Sequence, residues 1–253
     1  MTSPGLARPI PPRRLRYYAA VSGLLGLAFT VGVVGTATHA LAPTRTLDVA
    51  VNIVTILCTV LFPLGILITP GEQQSSEKRA AELVLIWLPF TAAGQLSFEL
   101  IWLVGQPFGA WTDKAHPGWK WLWWQFAETD RRYFGENPFT FAMELNAVVA
   151  GALVAFAFAQ LVRVDLEDSA RIRALWIAFA GITVLTFNTL LYFVSELRDR
   201  LRDIGQGSYG VVKFVGLNVP YLIVPPLVML AIVCQVNYLN QRVGVHRFGP
   251  SSE

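Results

Sequence analysis

Six apolar stretches of 21 to 25 residues run along the chain, and each is long enough to cross a lipid bilayer as a helix. The bilayer core, roughly 30 Å thick, requires about 20 helical residues, and backbone groups within it must be paired inside the segment. Of the 20 Lys and Arg and 17 Asp and Glu residues, only Glu99 and Glu144 lie within these stretches. We therefore predict an all-α integral membrane protein, a bundle of six transmembrane helices. The stretches cover residues 17–41, 49–69, 83–104, 138–162, 174–195 and 214–238.

Charged and proline-rich segments set the predicted domain boundaries. Residues 1–16 are expected to form a disordered basic tail, followed by a first transmembrane helix within residues 17–45. Residues 46–240 form the main membrane domain, and residues 241–253 form a C-terminal tail. Three prolines in the last span predict a kink or a local unwinding. They are Pro220, Pro225 and Pro226.

The basic tail favours a cytoplasmic N-terminus by the positive-inside rule. A signal peptide cleaved after Ala42 is the alternative, because residues 40–42 match the small-residue pattern of cleavage sites. The preceding apolar run is longer than usual for a signal peptide and Pro43 follows the site, so an uncleaved first span is favoured. The sequence is compatible with a bacterial cell membrane or with the endoplasmic reticulum.

Composition and motifs exclude several classes of function. The net charge of +3 comes with no basic run beyond the tail, so no nucleic-acid partner is expected. His39, His116 and His246 are dispersed, so we expect no metal and no cofactor. Cys58 and Cys234 lie in apolar spans and are interpreted as small hydrophobic residues. The chain also lacks the GxSxG and P-loop motifs.

The segment between the third and fourth spans, residues 105–137, is unusually rich in tryptophan. Amphipathic aromatic rings prefer the boundary between lipid and water. We therefore predict that this segment lies at the membrane interface, with Trp121, Trp123, Trp124 and Tyr133 in the headgroup layer.

The two glutamates inside the spans are predicted to lie at the same depth. Glu99 lies five residues before the outer end of its span and Glu144 six residues into the next, which places both roughly 8–9 Å below the outer edge. Gln95 shares the helix face of Glu99, one turn deeper. Asn188, Asn218 and Tyr221 reach the same layer from the last two spans. We therefore predict a polar site where four helices converge.

Asparagine and glutamate have different implications inside a span. A buried Asn commonly hydrogen-bonds a neighbouring helix for roughly 0.6–2 kcal/mol, and we favour this structural role for Asn188 and Asn52. For Asn218 both interpretations stay open. An acidic residue at the centre of a span costs about 2.5–3.5 kcal/mol on insertion, which indicates a functional role. With no Lys or Arg in the spans to pair them, we expect one glutamate to hold its proton, so that the two can act as general acid and general base.

Three blocks of sequence carry a family resemblance. They are residues 126–144 (FAETDRRYFGENPFTFAME), 191–199 (LYFVSELRD) and 218–225 (NVPYLIVP). In order and spacing they resemble the emopamil-binding protein family, the membrane sterol Δ8–Δ7 isomerases of the EXPERA superfamily, which also includes the sigma-2 receptor. The resemblance runs from about residue 50 to 240, so residues 46–240 would be an EXPERA-like domain. The first span would be an addition to the five family helices.

The resemblance implies a sterol-sized cavity in which a Δ8 double bond is protonated and a neighbouring proton is removed, through a carbocation. Glu99 and Glu144 match the acidic pair of the family and are the predicted catalytic residues. Asn218 matches its asparagine, and Tyr221 stands where the isomerases have tryptophan, which can also stabilise a cation. The predicted substrate-binding residues are Gln95, Trp102, Asn188, Asn218 and Tyr221.

The chain departs from the family at two places near this site. Gln95 replaces a histidine one turn before the first glutamate, and Asn146 and Ala147 stand where the family has a threonine. The first hypothesis is a cholestenol Δ-isomerase-like enzyme acting on a sterol or a related polycyclic terpenoid. The alternative, which Gln95 favours, is a non-catalytic sterol-binding, lipid-binding or trafficking protein of the sigma-2 receptor type. A proton-coupled transporter ranks third because no internal repeat is visible. The expected partners are the sterol or terpenoid and the lipid bilayer, and a homodimer stays open.

Overall fold

The computed structural model describes residues 10–67, 75–111, 118–135, 137–163, 165–198, 202–205 and 208–248. Within these ranges the chain is largely helical, and the only β-structure is an isolated bridge between Asp130 and Ile204. The helices are α1 (Pro12–Ala37), α2 (Arg45–Leu67), α3 (Ser76–Gly94), α4 (Leu100–Gly105), α5 (Trp121–Thr129), α6 (Pro138–Leu161), α7 (Asp168–Arg198), α8 (Ser208–Asn218) and α9 (Pro220–Phe248).

Six of the described helical segments are long and apolar enough to cross a membrane. They are α1, α2, the continuous run from α3 through α4, α6, α7, and the run from α8 into α9. The predicted all-α bundle of six transmembrane helices is confirmed, and the architecture is that of a multi-pass integral membrane protein.

Helices α3, α6, α7 and α9 form the centre of the bundle, with buried faces of Leu, Val, Ile and Ala. Small residues let α6 and α7 approach closely, which is the usual way that membrane helices gain packing contacts. A Cβ atom at Gly181 of α7 would lie 2.7 Å from Val154 Cγ2 and 3.1 Å from the carbonyl oxygen of Ala150, both on α6. Residues of α3, α6 and α7 surround one space between the helices.

The last span is interrupted at Val219, between α8 and α9, as its prolines predict. Pro220 has no amide hydrogen, so it cannot continue the hydrogen-bond pattern of α8. The amide of Val219 still donates to the carbonyl oxygen of Val215 at 2.8 Å, so one helical hydrogen bond continues from α8 into the break. Pro225 and Pro226 lie inside α9 without ending it.

Both ends of the chain are more helical than the sequence predicts. Helix α1 begins at Pro12 rather than at residue 17, and α9 continues to Phe248 through most of the predicted C-terminal tail. Residues 1–9 and 249–253 of the two predicted tails lie outside the described residues.

Arg14 explains why α1 begins early. Its Nε atom donates to Glu82 Oε1 of α3 at 2.6 Å, and its Nη2 atom donates to the carbonyl oxygen of Gly65 in α2 at 3.0 Å. The hydroxyl group of Tyr18 donates to the same Glu82 oxygen at 2.6 Å. These buried bonds join the first turns of α1 to the rest of the bundle, so Arg14 of the predicted tail is part of the fold.

In the segment after the third span, two of the tryptophan rings of α5 pack inside the bundle. Trp121 and Trp123 of α5 are buried, whereas Trp119 is exposed. Trp121 packs so closely on α1 that a Cβ atom at Gly32 would clash with its ring. The indole of Trp123 donates to the carbonyl oxygen of Phe98 at 2.9 Å. The prediction of interfacial rings is wrong for Trp121 and Trp123, because an aromatic side chain suits a buried contact as well as an interface.

Candidate functional site

A cavity of about 1340 Å³ lies among the helices, and all six membrane-spanning segments and α5 contribute to its wall. Its volume is larger than the about 300–1,000 Å³ of ordinary small-molecule pockets. The wall is mostly apolar, with rings such as Phe62, Phe90 and Phe98 between a few polar side chains. A cavity of this size and character suits a large, mostly apolar molecule.

Glu99 and Glu144 meet in the wall of this cavity, and we call them the carboxyl pair. Their carboxyl groups lie within hydrogen-bonding reach of each other. Two carboxyl groups can form a hydrogen bond only when at least one carries a proton, because an ionised carboxylate has no hydrogen to donate. The geometry therefore fits the expectation that one glutamate is a proton donor while the other accepts.

Two buried oxygen atoms of this site have no hydrogen-bond partner among the described residues. Glu99 Oε2 and Gln95 Oε1 are buried and accept no hydrogen bond from the residues that the structure describes. Both side chains line the cavity. Buried polar atoms are nearly always satisfied by protein, water or ligand, so these two oxygens mark the place where a bound molecule or water would complete the site.

The backbone around Gln95 and Glu99 is a π-helical turn, Gln95–Glu99, inserted between α3 and α4. Such turns widen a helix locally and are frequent at functional sites. The opposite helix accommodates the wide turn through Gly151, where a Cβ atom would lie 2.5 Å from Gln95 Cβ. The turn keeps both side chains on the cavity side of the helix, as their spacing of four residues predicts.

Tyr133 is a site residue that the sequence analysis assigned to the interface. Its hydroxyl group donates a hydrogen bond to Glu144 Oε1, and its ring packs against Trp102 at 5.0 Å and Phe126 at 4.8 Å between centroids. Burial raises the pKa of Tyr133 well above its ordinary value, and the negative charge of Glu144 adds to the effect. Tyr133 therefore remains a hydrogen-bond donor to Glu144 at every ordinary pH.

A buried group of charges lies next to Tyr133 in the chain, and we call Asp130, Arg132 and Glu196 the ion cluster. Arg132 Nη2 lies 2.7 Å from Asp130 Oδ2 and 2.7 Å from Glu196 Oε1. Tyr192 donates its hydroxyl to Asp130, and the Arg132 guanidinium lies over the Tyr192 ring at 4.5 Å. Burial alone would lower the pKa of Arg132, but hydrogen bonding and charge from Asp130 outweigh it and raise the pKa. The cluster joins the segment that carries Tyr133 to the C-terminal end of α7.

The predicted substrate-binding residues have different surroundings. Gln95, Asn188, Asn218 and Tyr221 line the cavity, but Trp102 does not. Trp102 is 1% exposed and donates to the carbonyl oxygen of Tyr133 at 3.3 Å, so it contacts Tyr133 without lining the cavity.

The two asparagines in this group make hydrogen bonds within the protein. Asn188 donates to the carbonyl oxygen of Met143 on α6 at 3.0 Å, which agrees with the structural role favoured for it. Asn218 donates to the carbonyl oxygen of Phe214 in its own helix at 2.8 Å, directly before the break at Val219. Asn52 also bonds within its own helix, to Asp48.

The prediction that the spans contain no basic residue is wrong. Helix α8 begins at Ser208, so Lys213 lies inside the last span, where it is 4% exposed and lines the cavity. Its partner is Asp48, at 2.8 Å, which lies inside α2 and not in the preceding loop. The two charges pair with each other and not with the carboxyl pair. The sequence is compatible with this longer span, because extending the apolar stretch from residue 214 back to 208 adds only one charged residue, Lys213.

In the described part of the chain, no three His, Cys, Asp or Glu side chains are grouped as a set of metal ligands. Comparisons with protein-family models, with curated proteins and with solved structures give no match. The resemblance to the emopamil-binding protein family therefore stays a prediction that depends on the three sequence blocks.

Proposed function

We propose that the protein is an intramembrane isomerase that shifts a double bond in a sterol or a related polycyclic terpenoid by protonation and deprotonation. The observation that carries the proposal is the carboxyl pair in the wall of a large apolar cavity. A hydrogen-bonded pair of carboxyl groups can supply one proton and accept another, which is what a double-bond shift requires.

In the proposed reaction, Glu99 donates its proton to one carbon of the double bond, and the π electrons form the new C–H bond. The neighbouring carbon becomes a carbocation. The carboxyl pair then accepts a proton from the next carbon, whose C–H electrons form the shifted double bond. The pair ends with the number of protons with which it began, so no oxidant, reductant or cofactor takes part.

The surroundings of the carboxyl pair support the proposal. A carbocation is stabilised by nearby negative charge and by aromatic faces, and the Tyr221 ring lines the same cavity. Tyr133 donates to Glu144 and would hold that carboxylate in position while Glu99 transfers its proton. Gln95 does not titrate in this pH range, so its role would be to orient substrate or water through its unpartnered oxygen.

Replacing Tyr133 with Phe is expected to lower turnover by about 10- to 100-fold without unfolding the protein. The ring contacts with Trp102 and Phe126 are kept, but Glu144 loses its hydrogen-bond donor. The measurement is the initial rate of conversion of a Δ8-cholestenol by purified protein. Tyr17→Phe is the matched control, because Tyr17 donates to Leu61 at 2.7 Å outside the cavity wall, and its rate should stay near that of the native protein. Equal rates in the two variants would show that the Tyr133 hydroxyl group does not contribute to turnover.

The direct test of the function is incubation of the purified protein with a Δ8-cholestenol in D2O. The expected product is the Δ7 isomer carrying one deuterium, because the proton delivered by Glu99 exchanges with solvent between turnovers. Unchanged sterol, with a monodisperse and folded protein, would count against sterol isomerisation. A panel of polycyclic terpenoid alkenes then tests the rest of the substrate class.

The second candidate is a non-catalytic lipid-binding or trafficking protein. The observation in its favour is Gln95, an amide where the family has a titratable histidine, together with the size of the cavity. Mass spectrometry of lipid that co-purifies with the protein separates the two candidates. A bound sterol that is recovered unchanged after prolonged incubation supports binding alone, whereas a mixture of double-bond isomers supports catalysis.

A further inference from the structure

A second polar site lies in the wall of the same cavity, apart from the carboxyl pair. It consists of Asp48 and Asn52 on α2, Gln125 on α5 and Lys213 on α8, and we call it the head site. None of the proposed steps of proton transfer uses it. A buried ion pair inside a membrane span is costly and commonly marks function.

Asp48 is saturated by the protein. Its carboxylate accepts from Lys213 Nζ at 2.8 Å, from Tyr209 OH at 2.6 Å and from Asn52 Nδ2 at 2.6 Å. In the amide orientation that satisfies both of its polar atoms, Gln125 adds a fourth donor at 2.8 Å. A carboxylate has about four acceptor positions, so Asp48 has none left for a ligand. Its role is to position the side chains around it.

Lys213 and Asn52 each keep one unused hydrogen-bonding group. Lys213 Nζ has three hydrogens, and it donates two of them, to Asp48 and to the backbone carbonyl oxygen of Gln125, each at 2.8 Å. Asn52 uses its Nδ2 atom on Asp48, which leaves the side-chain oxygen Oδ1 as an acceptor. Neither the third Lys213 hydrogen nor Asn52 Oδ1 has a partner among the described residues. Because both side chains donate to Asp48 Oδ1, the Lys213 ammonium group and the Asn52 amide lie next to each other.

We propose that the head site binds the hydroxyl group of an alcohol lipid. Lys213 donates to the hydroxyl oxygen, and the hydroxyl hydrogen is donated to Asn52 Oδ1. A hydroxyl group is both donor and acceptor, which matches the two unused groups. Asp48 already balances the charge of Lys213, so the site is neutral and suits an uncharged head better than a phosphate or carboxylate.

The position of the head site relative to the carboxyl pair makes the substrate class more specific. Gln125 accepts from Lys213, and the next residue, Phe126, packs on Tyr133, whose hydroxyl reaches Glu144. Adjacent residues of one helix therefore link the head site to Tyr133, the hydrogen-bond donor to Glu144, and both sites line the same cavity. The inference rests on the proposed function and narrows its substrate to a neutral polycyclic alcohol. Binding of the hydroxyl group sets which carbon atoms face Glu99.

The test compares the binding of two probes, a Δ8-cholestenol and the same sterol without its hydroxyl group. Binding is measured by displacement of tritiated Δ8-cholestenol from protein in lipid nanodiscs. The Glu99→Gln background is used so that neither probe is converted during the measurement. We expect the alcohol to bind about 10-fold more tightly than the deoxy sterol.

Two variants locate the hydroxyl preference at the head site. Asn52→Leu removes the acceptor and is expected to weaken binding of the alcohol to near that of the deoxy sterol, whose own affinity stays unchanged. Asp48→Asn combined with Lys213→Met removes both charges together, so that no single charge remains buried, and should have the same result. Thr55→Val is the control, because Thr55 lines the cavity but donates to Val51 of its own helix at 2.8 Å. It should keep the preference.

The outcomes for the head site and for the carboxyl pair are separable. Equal affinity for the two probes, or a preference that survives Asn52→Leu and the double variant, overturns the hydroxyl site and leaves proton transfer by the carboxyl pair untouched. Isomerisation that persists in Glu99→Gln overturns proton donation by Glu99 and leaves the binding preference untouched. Absence of saturable binding by both probes overturns the head site as a sterol site.

Discussion

Replacement of Glu99 by Gln is expected to lower double-bond isomerisation by at least about 1,000-fold, with little change in stability. The amide has nearly the same shape as the carboxyl group and can still hydrogen-bond Glu144, so the packing around α3 and α6 is kept. It cannot transfer a proton to an alkene, because an amide is far too weak an acid. The measurement is turnover of a Δ8-cholestenol, with the thermal unfolding midpoint measured on the same sample.

Glu167→Gln is the matched control for this change. Glu167 is exposed between α6 and α7 and is not one of the residues that line the cavity, so its variant should keep native turnover. Turnover above about a tenth of the native rate in Glu99→Gln would show that another acid supplies the proton. Glu144→Gln would then be the decisive variant, because Glu144 is the other half of the carboxyl pair.

Replacement of Arg132 by Met is expected to destabilise the protein by about 3–5 kcal/mol. The change removes the cation that balances Asp130 and Glu196, whose side chains are 0% and 1% exposed. Buried carboxylates that lose such a cation are costly, and the segment that carries Tyr133 would lose its ion pair with Glu196 of α7. The measurements are the monodisperse fraction after purification and the thermal unfolding midpoint.

The chain contains a matched control at its surface. Arg163 and Asp165 have the same two-residue spacing as Arg132 and Asp130, but their side chains are 53% and 77% exposed and lie 3.4 Å apart. Arg163→Met should change stability by less than about 1 kcal/mol, since exposed ion pairs contribute little. Adding Asp130→Asn and Glu196→Gln to Arg132→Met should recover part of the lost stability, because the buried charges are then removed together. A stable Arg132→Met protein would contradict a structural role for the ion cluster.

The sequence predicts the site well where local geometry decides it. A helix rises by about 1.5 Å per residue, so counting from the span ends was enough to bring Glu99 and Glu144 to one depth. The spacing of Gln95 and Glu99 likewise predicts a shared face, and the π-helical turn did not change that outcome. These relations depend on positions that are close together in the chain, so they follow from the sequence alone.

The sequence does not predict the surroundings of residues near the ends of the spans. Asp48 and Lys213 resemble loop residues, because a charge next to an apolar stretch marks its end in most sequences. They are buried because each satisfies the other, and they are 165 positions apart in the chain. Tyr133 was misplaced for a similar reason, since its role depends on how α5 packs, and Gly32 on α1 helps to decide that.

The sequence by itself determined that this is a six-span membrane protein with two acidic residues at one depth. The physical reason is that lipid excludes charge and unpaired backbone groups, so length, composition and helical rise are sufficient. Only the tertiary structure decided which polar groups are partners. It paired Lys213 with Asp48, attached Tyr133 to Glu144, and left Glu99 Oε2 without a protein partner in the described residues. Hydrogen bonds act over about 3 Å in space, and distance along the chain does not determine them.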